Sequence, residues 1–287
     1  MRDDDQEINL RDPQDISLQI ISLARDEVER ILIGSKLDLS DHTISTLIRL
    51  MSYASGRSQC VSFLLSHQYL WDTEIVLRSF YEAIVKILFI CQHPNEAAEK
   101  LVNEFWGDYL RAENKLTANR ARIALKLAGE AMSSDDARIF AALSRSGTLD
   151  ESISNKEQRR KVMRKWSFTE MVNTLDQSLH FSGALVHIYG IQSHLCHADN
   201  VALDFIYDDM TRPAEEARLK QASHVCRVLS DQANLWYIAA LSISKLAKLP
   251  INNDVFHELL TKLSTETTTV TEAFHRSQDG LYDQLQQ

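Results

Sequence analysis

Two short stretches of the chain carry polar side chains at a spacing that would place them on one side of a helix. Arg78 and Glu82 lie one helical turn apart in the first stretch. Tyr189, Ser193 and His197 repeat the same four-residue interval in the second. Residues four apart lie next to each other on a helix surface. The two stretches are far apart in the chain, so only folding could bring them together.

If the two stretches meet, an arginine, a carboxylate and an imidazole share one site. His197 could then exchange a proton, Glu82 could act as its partner or as a second base, and Arg78 could stabilise phosphate charge. The same residues also fit a structural role, because a histidine near a helix C-terminus can cap the last carbonyl groups. Neighbouring candidates for ligand binding are Tyr81, Tyr189, Ser193 and His194.

Glu74 lies four residues before Arg78, so Arg78 can pair with either Glu74 or Glu82. The surrounding segment is apolar on nearly all sides, which predicts that such a pair is buried. A buried ion pair is costly unless other groups complete its hydrogen bonds. A structural pair and a functional pair both remain open.

Three histidines repeat every seven residues, with two glycines on the neighbouring side. They are His180, His187 and His194, with Gly183 and Gly190. The glycines would let another backbone or a ligand approach closely. Seven residues of helix place successive rings about 10 Å apart along the axis, so one ion cannot bind all three. His194, His197 and Glu82 could hold a metal, but paired Glu-x-x-His motifs are absent, and we expect no metal site.

Long helices must position these groups, because glycine (8) and proline (4) are scarce. Residues Leu70 to Cys91 are apolar around most of the helical circumference, which predicts a central buried helix ended by His93-Pro94. Asn95 would start a long charged helix to about Met132. Further helix boundaries are predicted at Asp12-Pro13, at Ser40 or Asp41 toward His67, at Ser133 to Asp135, at the Ser167/Glu170 capping box, at Thr211 to about Lys248, and at Asn253 or Asp254 to about His275.

These elements predict an all-α protein: a single elongated multi-helix bundle with long antiparallel helices. The bundle would span residues 13–250, after a disordered segment at 1–12 and before a final helix and frayed tail at 251–287. Residues 144–166 contain Gly147 and a polar run, which predicts a mobile excursion with one short helix. Helical bundles commonly pair through a face, so a homodimer is one alternative.

The composition argues against several classes of function. The net charge of −9 and the pI near 5.6 argue against broad DNA binding. The four cysteines are scattered, as expected for reduced thiols of a cytoplasmic protein. The apolar stretch from Ala83 to Cys91 is too short for a membrane span. No glycine-rich phosphate loop is present, so no nucleotide or flavin cofactor is expected.

The densest basic segment is compatible with two interpretations. Its residues are Lys156, Arg159, Arg160, Lys161, Arg164 and Lys165. A solvated helix face is the commoner explanation of such a run, and contact with nucleic acid is the alternative.

The chain resembles a bacterial family of domains of unknown function, the one numbered five-six-seven-seven, over about residues 40–245. The matching positions are Arg78, Tyr81, Glu82, Trp166, Tyr189, Ser193 and His197, followed by Ala198. The resemblance implies an all-α bundle and no settled activity. A looser likeness is to HEPN helical domains, many of which are ribonucleases or toxins in microbial conflict systems. Those domains carry R-x4–6-H on one helix, whereas here Arg78 and His197 would have to come from different helices.

Two functions follow as expectations. The first is a helical interaction protein of a bacterial stress or phage-defence system, in which Arg78, Glu82 and His197 form a buried lock or a ligand site. Its partner would be another protein or a second copy of the chain. The alternative is a HEPN-like, metal-independent ribonuclease or toxin that uses His197 and Arg78 on RNA or a nucleotide.

Overall fold

A computed structural model describes residues 8–34, 36–128, 132–146, 155–175 and 182–278. All regular elements within these ranges are helices, which confirms the predicted all-α bundle. None of these helices is long and apolar enough to cross a membrane. They are α1 (Arg11–Leu32), α2 (Asp41–Ser66), α3 (Leu70–Cys91), α4 (Asn95–Glu104), a π-helical turn (Phe105–Tyr109), α5 (Leu110–Ala128), α6 (Ser134–Ser146), α7 (Lys156–Lys165), α8 (Phe168–Thr174), α9 (Ser182–His197), α10 (Asn200–Thr211), α11 (Ala214–Ala247) and α12 (Asn253–Ser277).

Helix α3 is the central element, as its apolar composition predicts. It packs against α2, α11, α9 and α8, while α1 and α12 pack on α11. An apolar surface on most sides of a helix is stabilised only when neighbours cover it on most sides. Its fully buried apolar residues include Leu77, Phe80, Ile84, Ile87 and Ile90. Because α3 carries Arg78 and Glu82, the site is anchored to the most buried helix of the bundle.

A buried polar contact joins α2 to α11 beneath this core. The hydroxyl of Ser58 donates to Oε1 of Gln232 at 2.7 Å, and Nε1 of Trp236 donates to the same hydroxyl at 3.2 Å. All three side chains are buried, so these hydrogen bonds offset the loss of water around the atoms that form them, whereas Nε2 of Gln232 has no partner among the described residues.

The long charged helix predicted from Asn95 is interrupted by the π-helical turn. Its wider turn places two aromatic rings, those of Phe105 and Tyr109, next to Trp166, the residue that follows α7. The ring centroid of Trp166 lies 5.0 Å from that of Phe105 and 5.9 Å from that of Tyr109. Phe105 also packs edge-on against Trp106. A π-helical turn inside an α-helix is rare and is often found at functional sites.

The predicted start of the first helix is wrong by one or two residues. Helix α1 begins at Arg11 with no side-chain cap, and Asp12 lies inside its first turn. Pro13 is buried in that turn, where its missing N–H is not needed. The predicted disordered segment 1–12 therefore overlaps α1, and residues 1–7 of it lie outside the described residues.

The Ser167/Glu170 capping box does not form. The hydroxyl of Ser167 donates to the carbonyl of Arg164 at 2.7 Å, and Glu170 instead pairs with Nε of Arg164 at 3.3 Å. Only Trp166 and Ser167 separate α7 from α8, so the last turn of α7 offers the nearer partners. Helix α7 is the short helix predicted within 144–166, and residues 147–154 of that stretch lie outside the described ones.

Helix α10 was not predicted. Its N-cap is Asp199, whose Oδ1 accepts from the amides of Val201 at 3.1 Å and Ala202 at 3.3 Å. An aspartate before an apolar helical spacing is a helix start signal, and Asp199 has that position. Helix α10 also presents exposed apolar side chains to solvent.

We expect Ser40→Ala to lower stability more than Ser167→Ala, because only Ser40 forms an N-cap hydrogen bond. Ser40 Oγ accepts from the amide of Thr43 at 3.3 Å, so its loss should lower the free energy of unfolding by about 1 kcal/mol. Ser167 makes no N-cap hydrogen bond to α8, and the Arg164 carbonyl that its hydroxyl contacts also accepts from the amide of Ser167, so its loss should cost less than about 0.5 kcal/mol. Urea denaturation measures both; equal losses would contradict the assigned geometry.

Candidate functional site

The structure brings Arg78, Glu82 and Tyr189 together. The phenol of Tyr189 accepts a hydrogen bond from Nη2 of Arg78 at 2.9 Å and donates one to Oε1 of Glu82 at 2.7 Å. Nε of Arg78 lies 3.6 Å from the same carboxylate oxygen. We call these three residues the tyrosine site. It joins α3 to α9.

The ring of Tyr189 is held on both faces. Phe168 of α8 stacks on it with centroids 3.9 Å apart and planes 9° from parallel. The guanidinium carbon of Arg78 lies 4.4 Å from the ring centroid, and it must occupy the other face because Phe168 fills the first. Burial and the hydrogen bond to Glu82 raise the pKa of Tyr189 to about 12. The phenol therefore stays protonated at neutral pH.

The tyrosine site is half-open rather than buried. The side chain of Arg78 is 22% exposed and that of Glu82 is 38% exposed. The predicted burial of this ion pair is wrong, because the pair lies on the edge of α3 that α9 covers only in part. Ion pairs with this much exposure contribute little to stability.

Lys86 extends the site by one more turn of α3, an addition that the sequence interpretation missed. Burial lowers the pKa of its ammonium group, and the charges of Glu82 and Glu113 act in the opposite direction. The nearby phenol of Tyr109 has its pKa raised to about 12 by burial and by Glu113. The sequence signal was available, since Arg78, Glu82 and Lys86 repeat at four-residue intervals.

The structure does not bring His197 into the tyrosine site. The residue is exposed at the C-terminal end of α9, and its imidazole makes no hydrogen bond or ion pair within the described residues. The chain turns immediately afterwards, where Ala198 has a φ of 47°. Ser193 is half-buried, and its hydroxyl forms no hydrogen bond with another described side chain.

His194 has a structural contact instead of a ligand-binding position. Its Nδ1 lies 2.6 Å from Oδ2 of Asp199, the residue that caps α10. Gly183 and Gly190 do not provide the predicted close approach, because a Cβ atom at either would meet nothing within 4 Å. His180 lies outside the described residues. Among the described residues, no three His, Cys, Asp or Glu side chains are grouped closely enough to hold a metal ion.

Glu74, which the sequence predicted only as an alternative partner of Arg78, is the most buried charged residue in the part of the chain that the structure describes. Its side chain is 2% exposed. It accepts a hydrogen bond from Nε2 of Gln192 at 2.8 Å and contacts Nε2 of His224 and Nη2 of Arg227. We call these four residues the Glu74 hub. It joins α3, α9 and α11.

Tyr81 belongs to the same network rather than to a ligand site. It is fully buried, and its phenol donates to Oδ2 of Asp231 at 2.6 Å. Nη1 of Arg227 lies 2.6 Å from the same oxygen and so links Asp231 to the Glu74 hub. Burial, with the nearby charge of Asp231, raises the pKa of Tyr81 well above its ordinary value. The predicted role of Tyr81 in ligand binding has no exposed surface to act through.

Electrostatics show why the Glu74 hub tolerates burial. Desolvation alone would raise the pKa of Glu74, but the hydrogen bond from His224 and the charge of Arg227 lower it to about 2. The carboxylate therefore remains ionised inside the bundle. The charge of Glu74 likewise keeps the pKa of Arg227 above its ordinary value despite the opposing effect of burial.

Comparison with known proteins gives one match. The model of a family described as "Family of unknown function (DUF5677)" matches residues 45–212, more than half of the chain. No curated protein and no solved structure shows a significant match. The matched range contains all of the tyrosine site, whereas His224 and Arg227 of the Glu74 hub lie beyond its end.

We expect removal of the Glu74 carboxylate to be far more damaging than removal of the Glu82 carboxylate. Glu74→Ala removes the buried acceptor shared by Gln192, His224 and the partly exposed Arg227, which should lower the free energy of unfolding by about 2–3 kcal/mol. Glu82→Ala removes a half-exposed partner and should cost about 1 kcal/mol or less. Urea denaturation of both variants measures the difference, and similar losses would refute the assigned burial.

The low pKa of Glu74 also predicts how stability depends on pH. Because its pKa falls from 4.5 in the ordinary state to about 2 in the folded protein, its ionised form stabilises the fold above pH 4.5. This contribution, about 3 kcal/mol, is lost as the pH falls from 4.5 toward 2. We expect the stability difference between the native protein and Glu74→Gln to shrink over that interval. A constant difference would contradict the pKa assignment.

Proposed function

The chain belongs to the DUF5677 family of unknown function, and we propose that it acts as a helical interaction protein whose partner binds to α10. The observation that carries this proposal is an exposed apolar stripe on that helix. Leu203, Ile206, Tyr207 and Met210 follow the i, i+3, i+4, i+7 spacing of one helix face. Tyr207 is 68% exposed and Met210 is 78% exposed.

The stripe lies on a helix that is fixed from its opposite side. Nε1 of Trp71 donates to Oδ2 of Asp209 at 3.0 Å, and the ring of Trp71 stacks on Phe205 with centroids 5.8 Å apart. Nζ of Lys220 lies 2.7 Å from Asp208 and 2.5 Å from Asp209. A rigid apolar face needs less ordering when it binds, which favours recognition of a partner.

The acidic residues beside the apolar stripe favour a partner with basic residues. Asp204 is exposed one position beyond Leu203, and Glu215 and Glu216 are exposed at the start of α11. In an antiparallel pair of identical helices centred on the stripe, the flank that carries Asp204 in one helix meets the same acidic flank of the other. Like charges in that position oppose self-association. The stripe therefore fits an amphipathic helix of another protein, with apolar residues flanked by lysine or arginine.

The tyrosine site holds two helices together, which fits a protein that binds a partner better than it fits an enzyme. Its phenol already exchanges hydrogen bonds with Arg78 and Glu82, and it fixes α9 against α3. The alternative of a HEPN-like ribonuclease or toxin requires His197 beside Arg78, and the exposed position of His197 gives that alternative no support. A bacterial stress or phage-defence setting remains part of the proposal, because it follows from the looser likeness to HEPN domains.

A synthetic helical peptide provides a direct test of the proposed surface. The probe carries leucine at i, i+3, i+4 and i+7 and lysine on both flanks, and fluorescence anisotropy measures its binding to the full chain. We expect Ile206→Lys with Met210→Lys to weaken binding at least tenfold, since it removes apolar contact and adds like charge.

The matched control replaces two exposed apolar residues, Leu18 of α1 and Ile33 directly after it, as Leu18→Lys with Ile33→Lys, and should leave peptide binding unchanged. Equal loss in both double variants would mean that the peptide responds to net charge alone and would refute the stripe as the binding surface. A dimer in light scattering that only the α10 variant dissociates would replace the proposed partner with a second copy.

A further inference from the structure

A groove between α4 and α7 carries an excess of positive charge on a protein whose net charge is −9. We call it the basic groove. It encloses about 750 Å³. Its cationic lining residues are Lys100, Lys161, Arg164 and Lys165, and Phe89 and Leu101 form part of its apolar floor. A concave site of this kind concentrates the field of its charges.

The two carboxylates of the basic groove are already engaged. Glu104 accepts from Nζ of Lys165 at 2.9 Å and from Nε1 of Trp166 at 2.7 Å. Glu170 pairs with Arg164 at 3.3 Å. Four cations therefore face two carboxylates.

The remaining two cations, Lys100 and Lys161, are exposed, and no carboxylate of the described residues lies within 4.0 Å of either ammonium group. His93 also lines this groove and lies near the positive charge of Lys165. Burial and the charge of Lys165 lower its pKa, so its imidazole is neutral at pH 7. The basic groove consequently holds a net positive charge that no described protein group neutralises.

Helix α7 continues this charge beyond the groove. Its ten residues contain six lysines and arginines and one glutamate. Val162 of α7 and the following Trp166 are buried against the bundle, so the helix is anchored by its apolar side and directs most of its cations outward. The helix offers a cationic track about 15 Å long that leads into the groove.

We propose that the basic groove and α7 bind the phosphate backbone of a single-stranded nucleic acid. A run of phosphates is a polyanion that can follow a cationic track and enter a groove, with sugars and base edges against the apolar floor. A flexible single strand adapts to an irregular groove of about 750 Å³ more readily than a rigid duplex. Arginine and lysine together are the usual phosphate ligands in such sites. The proposal is independent of the partner surface on α10.

The negative charge of the rest of the protein limits the length of strand that can bind. Away from the basic groove and α7, the other residues carry a larger negative charge than −9, so a long polyanion is repelled beyond a short footprint. Binding is therefore of modest affinity and strongly dependent on salt. For a single strand, log K falls with log salt by about 0.7 for each phosphate neutralised.

A fluorescein-labelled twelve-nucleotide oligouridine is the probe, and fluorescence anisotropy against the full chain is measured from 50 to 200 mM salt. We expect a logarithmic slope near −3 if about four phosphates are neutralised. Lys100→Glu with Lys161→Glu should weaken binding at least tenfold and make the slope shallower by about 1 or more.

The control Lys36→Glu with Lys262→Glu makes the same charge change at exposed positions outside the groove and should leave affinity within twofold. Circular dichroism melting should show that both double variants fold. Equal loss in both variants would refute the site. Competition by polyglutamate as strong as by unlabelled oligouridine would assign the groove to an acidic peptide, and stronger binding of a duplex of equal length would overturn the single-strand assignment.

Discussion

The ionised carboxylate of Glu74 lies where α3, α9 and α11 meet, and the arrangement of those helices depends on satisfying it. A charge this deeply buried persists only with complementary donors, and here a glutamine, a histidine and an arginine converge on it from two other helices. Each donor must lie at a fixed position along the axis of its own helix. The hub therefore specifies the register of α9 and α11 against α3 in a way that apolar packing alone would not.

The tyrosine site is positioned as a consequence of that register. Gln192 and Tyr189 lie three residues apart on α9, so anchoring Gln192 to Glu74 also delivers the phenol of Tyr189 to Arg78 and Glu82. The two sites thus form a continuous polar seam between α3 and α9. Its buried end fixes the helices, while its open end leaves Arg78 and Glu82 within reach of solvent.

The sequence patterns predicted the features that depend on one helix alone, such as its bounds and caps. They failed for side-chain partners that are determined by how neighbouring helices pack. The bounds of α3 follow from its apolar composition and from Pro94, and the Ser40 cap follows from local chemistry. The four-residue spacing of Arg78 and Glu82 identified residues that do meet Tyr189. Spacing does not determine which side of a helix faces which neighbour. It therefore predicts Glu74 as a partner of Arg78 instead of Arg227, and it predicts His197 in a site from which it is absent. Likewise, the Ser167 cap failed because the adjacent α7 supplies a nearer acceptor.

The π-helical turn at Phe105–Tyr109 has a consequence for how this chain can vary. A π-helical turn holds one residue more than the α-helical turn that it replaces. Deleting one residue there would restore α-helical winding with nearly the same total rotation about the axis, so Tyr109 and Glu113 would keep their orientation toward Lys86. What would change is the widened turn itself, which sets Phe105 and Tyr109 against Trp166. This turn is therefore the point in the α4–α5 segment at which one residue can be lost without reorienting α5.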